Sequence, residues 1–209
     1  PAEHAAYQSA QAHAVQVPYL ALALALFALA VAVRLFRLPP LTEATEQAAE
    51  RTYGYRDVLR HRQLRLGVVA IFLYVGAEVA IGSFLGNYLA RPDIGAIPAA
   101  EVGRYISLYW GGAMIGRFVG AALLLTADPR RLLVIYATIA IALLITTIAG
   151  GGWVSMWSVL AIGLFNSIMF PTIFTLAIDK LGPMTQKASS LLVTAIFGGA
   201  AIPPLQGYA

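Results

Sequence analysis

Glu78 and Arg117 are the two charges that fall within long apolar runs of this sequence. Glu78 sits in YVGAEVAIGSFLGNYL and Arg117 in YWGGAMIGRFVGAALL. A carboxylate in an apolar medium costs a few kcal/mol even on insertion scales, so it faces either a cavity or a fixed partner. In a cavity it can bond a ligand hydroxyl or exchange a proton; fixed by neighbouring donors it has no role in turnover. Counted in helical rises from the arginine-rich end of each run, Glu78 lies about 20 Å deep and Arg117 about 13 Å deep. An arginine side chain either bridges that offset or snorkels to the interface.

Amides form the second set. Asn87 follows Glu78 by nine residues, roughly 900° on an ideal helix, so the two point to opposite faces. They line one cavity only if Gly82, Ser83 and Gly86 interrupt the helix, as in discontinuous transporter helices; otherwise those glycines serve close packing. Asn166 stands five residues before Pro171 in GLFNSIMFPTIFTLAIDKLG, and the proline must disturb the backbone ladder. A buried amide beside a kink suits a hydroxylated ligand or an interhelical hydrogen bond. Gln206, after GGAAIPP, repeats the pattern. The Gly112, Gly116 and Gly120 stripe, with Tyr105 and Tyr109 preceding it, predicts close helix packing.

Other chemistries have no foothold. His4, His13 and His61 show no ligand spacing, there is no cysteine, and no phosphate-binding glycine loop is present. An enzyme, a metal site, a cofactor and a nucleic-acid partner are not expected.

The elements that hold these residues follow from composition. Of 209 residues, 59% are hydrophobic and 11% charged, against about a quarter charged in soluble domains. Mean hydropathy is +0.75. Six apolar segments are readable, over residues 17–35, 64–89, 105–125, 132–149, 153–181 and 189–208. Each suits a bilayer, which takes about 20 helical residues to cross. None alternates as a barrel strand would, so the expected class is an all-α integral membrane protein.

Arginine and lysine set the expected orientation. Arg34, Arg37, Arg51, Arg56, Arg60, Arg62 and Arg65 crowd one loop, while the next has Arg91 and Arg104 against Asp93 and Glu101. Arg130 and Arg131, then GGGW, then Lys180 and Lys187 continue the alternation. The arginine-rich loops are expected in the cytoplasm. Residues 38–63, containing LPPLTEATEQAAE, read as a cytoplasmic connector whose arginines set topology. The domain plan is therefore 1–37, an outer segment and one span; 38–63, the connector; and 64–209, a helical bundle. The chain begins without Met and stops inside an apolar segment, IPPLQGYA, so a longer chain is expected.

YVGAEVAIGSFLGNYL, YWGGAMIGRFVG, GLFNSIMFPTIFTLAIDKLG and SSLLVTAIFGGAAIPPLQG together resemble the fucose/glucose-galactose permease group of the major facilitator superfamily. The resemblance covers most of the chain from Leu64 onward. It implies a fold of two six-helix bundles joined by a cytoplasmic loop, of which this chain would supply helices six to eleven. It also implies uptake of a hexose-type sugar coupled to protons or another ion, by alternating access, in the inner membrane. On that plan the partners are sugar, proton, lipid bilayer and the missing amino-terminal bundle. Asn166, Asn87 and Gln206 would bond sugar hydroxyls, Glu78 would bond sugar or exchange a proton with Arg117 nearby, and Tyr74, Tyr109 and Trp110 would form an apolar wall. The fucose permeases carry an amide where Glu78 stands, which points to the glucose/galactose type. The family's acidic coupling residues belong to the missing bundle and have no counterpart here. A transporter of another small solute, and a non-transporting sensor or subunit on the same fold, remain alternatives.

Overall fold

The computed structural model describes residues 2–35, with side chains from Gln16 onward, and residues 53–208. Residues 38–52 of the expected connector lie outside the described residues. Two compact units divide the chain, Pro1–Glu43 and Ala44–Ala209.

The first unit contains α1, Ala2–Leu35, with Pro18 inside it. Its apolar part, Gln16–Leu35, is 20 residues long, about 30 Å at 1.5 Å per residue, the thickness of a bilayer core. The helix also extends through the polar start, where alanine, glutamine and glutamate favour it.

The second unit runs from α2 (Tyr55–Val58) to α9. Its long elements are α3 (Arg62–Leu89), α4 (Ala99–Leu124) and α5 (Pro129–Gly150). A fourth span is divided into α6 (Gly152–Asn166) and α7 (Met169–Ile178). The fifth joins α8 (Thr185–Thr194) to α9 (Gly198–Tyr208) through a 3-10 turn, Ala195–Phe197. Among the described residues no strand occurs, and six stretches are long and apolar enough to cross a membrane. They match the six expected segments, with α4 and the last span starting earlier than the hydropathy suggests.

Local chemistry sets the boundaries. Asp128 caps α5, its Oδ1 accepting from the backbone N–H groups of Arg130 and Arg131 at 3.0 Å each, with Pro129 at the first turn. Gly151 and Gly152, at φ +69° and +52°, make the reversal into α6 that a side chain would strain. At that end the backbone N–H of Gly152 donates to the Asp93 carbonyl at 3.0 Å. Arg91 grips the Asp93 carboxylate with two hydrogen bonds of 3.0 and 2.7 Å. The Arg91 hydrogen bond holds the exposed Asp93 carboxyl below its usual range.

At the opposite end residues 53–61 are docked on the bundle. Val58 is fully buried beside Leu64, Ala188 and Leu192. The Lys187 ammonium donates to the Tyr53 carbonyl, and Gln63 Nε2 to that of Asp179. Residues 53–61 thus pack as part of the bundle.

Two apolar cores sit at the two ends of α3. One gathers Leu64, Ile71, Val75, Ile173 and Leu192; the other gathers Leu85, Leu89, Ile94, Tyr109, Met156 and Ile162. Glu78 falls in the interval between them, after Val75 of the first core and before Ile81 and Leu85 of the second.

Candidate functional site

A cavity of about 580 Å³ opens at that interval. Tyr74 and Glu78 enter it from α3, one turn apart; Arg117, Ala121 and Leu124 enter from α4; Ser167, Ile168, Phe170 and Pro171 close it from the break between α6 and α7. Glu78 is half-buried and Arg117 exposed. Both line the cavity with Tyr74, yet no ion pair joins them: among the described residues Arg91–Asp93 is the one salt bridge. A carboxylate acceptor, a guanidinium donor and two hydroxyls therefore share one apolar-walled space.

The break that forms one wall has a readable cause. Pro171 has no N–H for the carbonyl of Ser167 four residues back. Around it, side-chain hydroxyls donate to neighbouring carbonyls. Ser167 Oγ donates to the Leu164 carbonyl at 2.7 Å and Thr172 Oγ1 to that of Ile168 at 2.7 Å. The Tyr74 hydroxyl donates to the Asn166 carbonyl, also at 2.7 Å. Small residues of α4 seat the break closely. A Cβ at Gly116 would stand 2.2 Å from the Leu164 carbonyl oxygen, and one at Gly120 2.3 Å from Ile168 Cγ2.

The structure thus brings Tyr74, Glu78 and Arg117 into one cavity. Asn166, buried at 7% exposure, borders a second space of about 210 Å³ with Tyr74, Ala77, Ile81 and residues of α5. Tyr109 is no cavity wall: it is 1% exposed and packed among Leu85, Met156 and Ile162. Its hydroxyl is buried and closes no hydrogen bond. Trp110 stacks edge-on against Tyr109, ring centroids 5.2 Å apart, and stands over Gly82. Because α3 runs uninterrupted from Arg62 to Leu89, Asn87 stays opposite Glu78 and is exposed. Gln206 is exposed on α9. Asn87, Trp110 and Gln206 line neither cavity.

Ser167 is the polar wall residue that sequence reasoning passed over. Its place beside Asn166 and four residues before Pro171 was the available signal. A wider groove of about 630 Å³ lies at the arginine-bearing end, where His61, Arg62 and Arg130 rim an apolar trough. It holds no carboxylate, and it lies away from the break.

Comparisons with known proteins bear on the chain as a whole. The sequence profile of the Major Facilitator Superfamily matches residues 7–204. A glucose/galactose transporter of Brucella abortus is 45% identical over 199 residues, 95% of this chain and 48% of that protein. A putative glucose/galactose transporter of Helicobacter pylori is 42% identical over 198 residues, 95% of this chain and 47% of that one. The L-fucose-proton symporter of Escherichia coli K12 is 32% identical over 211 residues, 100% and 48% of the two chains. The chain therefore spans about half the length of the curated relatives it matches. A crystal structure of a major facilitator transporter, FucP, in the outward conformation superposes with a TM-score of 0.78 at 30% identity. That match covers 100% of this chain and 51% of the other.

Proposed function

The chain belongs to the major facilitator superfamily, and from that premise we propose that its full-length protein imports a hexose-type sugar together with protons by alternating access. The observation that carries this reading is the 580 Å³ cavity where Glu78, Arg117, Tyr74 and Ser167 meet. Its size falls in the ordinary range for small-molecule sites, and it pairs apolar walls with a few placed polar groups. Sugar hydroxyls donate to a carboxylate and accept from a guanidinium, and the Phe170 ring offers an apolar face. Asn166 contributes from the adjoining space. The sugar transporters and proton symporters among its relatives support the same class of substrate and coupling.

Uptake of labelled glucose, galactose and fucose into vesicles carrying the full-length protein tests the proposal. Sugar-specific accumulation that collapses with the proton gradient is expected. Accumulation of none of these sugars would overturn it.

The same reading puts the arginine-bearing end in the cytoplasm of an inner-membrane protein, since Arg and Lys mark inside loops. Arg60 and Ala100 are both exposed, at opposite ends of the bundle. In a cysteine-free background Ala100→Cys is expected to react with an impermeant thiol reagent on intact cells, and Arg60→Cys to stay unlabelled. The reverse pattern would invert the topology.

A further inference from the structure

The hydroxyls that serve the break between α6 and α7 are not equivalent. Ser167, Thr172 and Thr175 donate to carbonyls of their own span, those of Leu164, Ile168 and Pro171. They travel with that span whatever it does. Tyr74 alone among these reaches across from another helix, to the Asn166 carbonyl at 2.7 Å. Asn166 is the last residue of α6, so this bond sits at the joint.

Tyr74 also lines the cavity that holds Glu78, and the joint itself, through Ser167 and Ile168, is a wall of that cavity. Glu78 stands one turn along α3 from Tyr74 in the same cavity, although the hydroxyl's bond closes on Asn166. A phenol has one proton to donate. It cannot donate both to the Asn166 carbonyl and to an acceptor in the cavity. Any acceptor that draws this hydrogen bond away leaves the Asn166 carbonyl unpaired, a loss that a change in backbone conformation can relieve. The α6 side is held on α4, because Gly116 lies against Leu164 and Ser167 with no room for a Cβ. α7 is seated in its turn on α3, where a Cβ at Gly67 would stand 2.3 Å from Ala177 Cβ, so the joint between the two seated arms is where their angle can change.

We infer that Tyr74 is a positioning residue that latches the α6–α7 joint, and that an acceptor in the Glu78 cavity, a sugar oxygen or the carboxylate, releases that joint by drawing the Tyr74 hydrogen bond to itself. The inference rests on the reading of this cavity as the sugar site. Its role is to convert occupancy into a change of helix angle, rather than to hold the sugar.

The test uses the full-length protein in proteoliposomes, in a cysteine-free background with Thr175→Cys on α7 as reporter; Thr175 is exposed. Its alkylation rate is measured with and without glucose, galactose and fucose. In the otherwise unchanged protein a transported sugar is expected to alter that rate. Tyr74→Phe keeps the ring and removes the donor. It is expected to fix the rate at the sugar-bound value without sugar and to remove the response. Binding affinity should move by no more than about fivefold, the scale of one hydrogen bond.

A Tyr74→Phe protein that binds weakly but still responds at saturating sugar makes Tyr74 a simple sugar contact and overturns the inference. One that melts earlier but responds normally makes it a structural tie, which overturns the inference as well. Pro171→Ala supplies a second route, since it returns an N–H to the joint without touching Tyr74. Loss of the sugar response is expected there too, and a full response overturns the idea. If the protein with Tyr74 intact binds none of the sugars, the functional reading fails on its own. The sugar-free rates of that protein and of the Tyr74→Phe variant then still decide the latch, and equal rates reject it.

Discussion

The Glu78→Gln protein is expected to bind and exchange sugar across the membrane yet fail to accumulate it. Glutamine keeps the shape and the accepting carbonyl of the side chain but has no proton to release. Glu78 is half-buried in a cavity of about 580 Å³ and makes no ion pair with Arg117, so the carboxylate is not locked as a structural partner. Its cost at that depth is bearable because cavity water and polar neighbours stand in for bulk solvation. Each pH unit across the membrane is worth about 1.4 kcal/mol per proton, or about tenfold in accumulated sugar. A variant that cannot carry the proton loses that whole factor, and the internal sugar level settles at the external one. Counterflow of labelled sugar in vesicles without a gradient measures exchange, and uptake under an imposed gradient measures coupling. Parallel loss of both would make Glu78 a sugar contact alone. Gradient-driven accumulation by a stable Gln variant would remove Glu78 from coupling. If instead the variant melts early and Arg117→Met restores part of the loss, the two are structural partners in another state.

How far these residues were readable in the sequence depends on what each one needs. Apolar length locates the spans, because a bilayer imposes its thickness on any helix that crosses it. Glu78 and Arg117 stand out because their chemistry contradicts their surroundings. Asn166 with Pro171 announces the joint, since a proline removes a donor wherever it falls in a helix. What stayed hidden depends on contacts between helices. Spacing along α3 correctly put Asn87 opposite Glu78, but only the backbone could decide whether Gly82, Ser83 and Gly86 break the helix; they do not. Tyr109 has the composition of a sugar-facing aromatic, yet the turn of α4 drives it into the core at 1% exposure. The Tyr74 bond to the Asn166 carbonyl joins positions 92 residues apart, and no local pattern encodes it.

The glycines of α4 show the same limit and carry the other large effect. Gly103, Gly111 and Gly116 look alike in the sequence, but a Cβ meets nothing within 4 Å at Gly103 and Gly111. At Gly116 it would stand 2.2 Å from the Leu164 carbonyl oxygen and 2.5 Å from Ser167 Oγ. Real Cβ atoms keep at least 3.0 Å, so α4 and the end of α6 must part by most of an ångström. No rotamer relieves this, because the closest obstacle is backbone. Gly116→Ala is therefore expected to cost on the order of 1–3 kcal/mol in overpacking, and Gly116→Val more. Gly111→Ala should be neutral or slightly stabilising, since alanine loses less backbone entropy in a helix than glycine. Thermal unfolding of the purified full-length protein, scanned at one rate for all variants, makes the comparison. Equal midpoints for Gly116→Ala and Gly111→Ala would show that α4 does not seat the joint. The separation also acts on the cavity, because Ser167 and Ile168 form its wall and Arg117 follows Gly116 directly on α4. Where Gly116→Ala still folds, sugar transport should fall more steeply than stability, while Gly111→Ala leaves both unchanged.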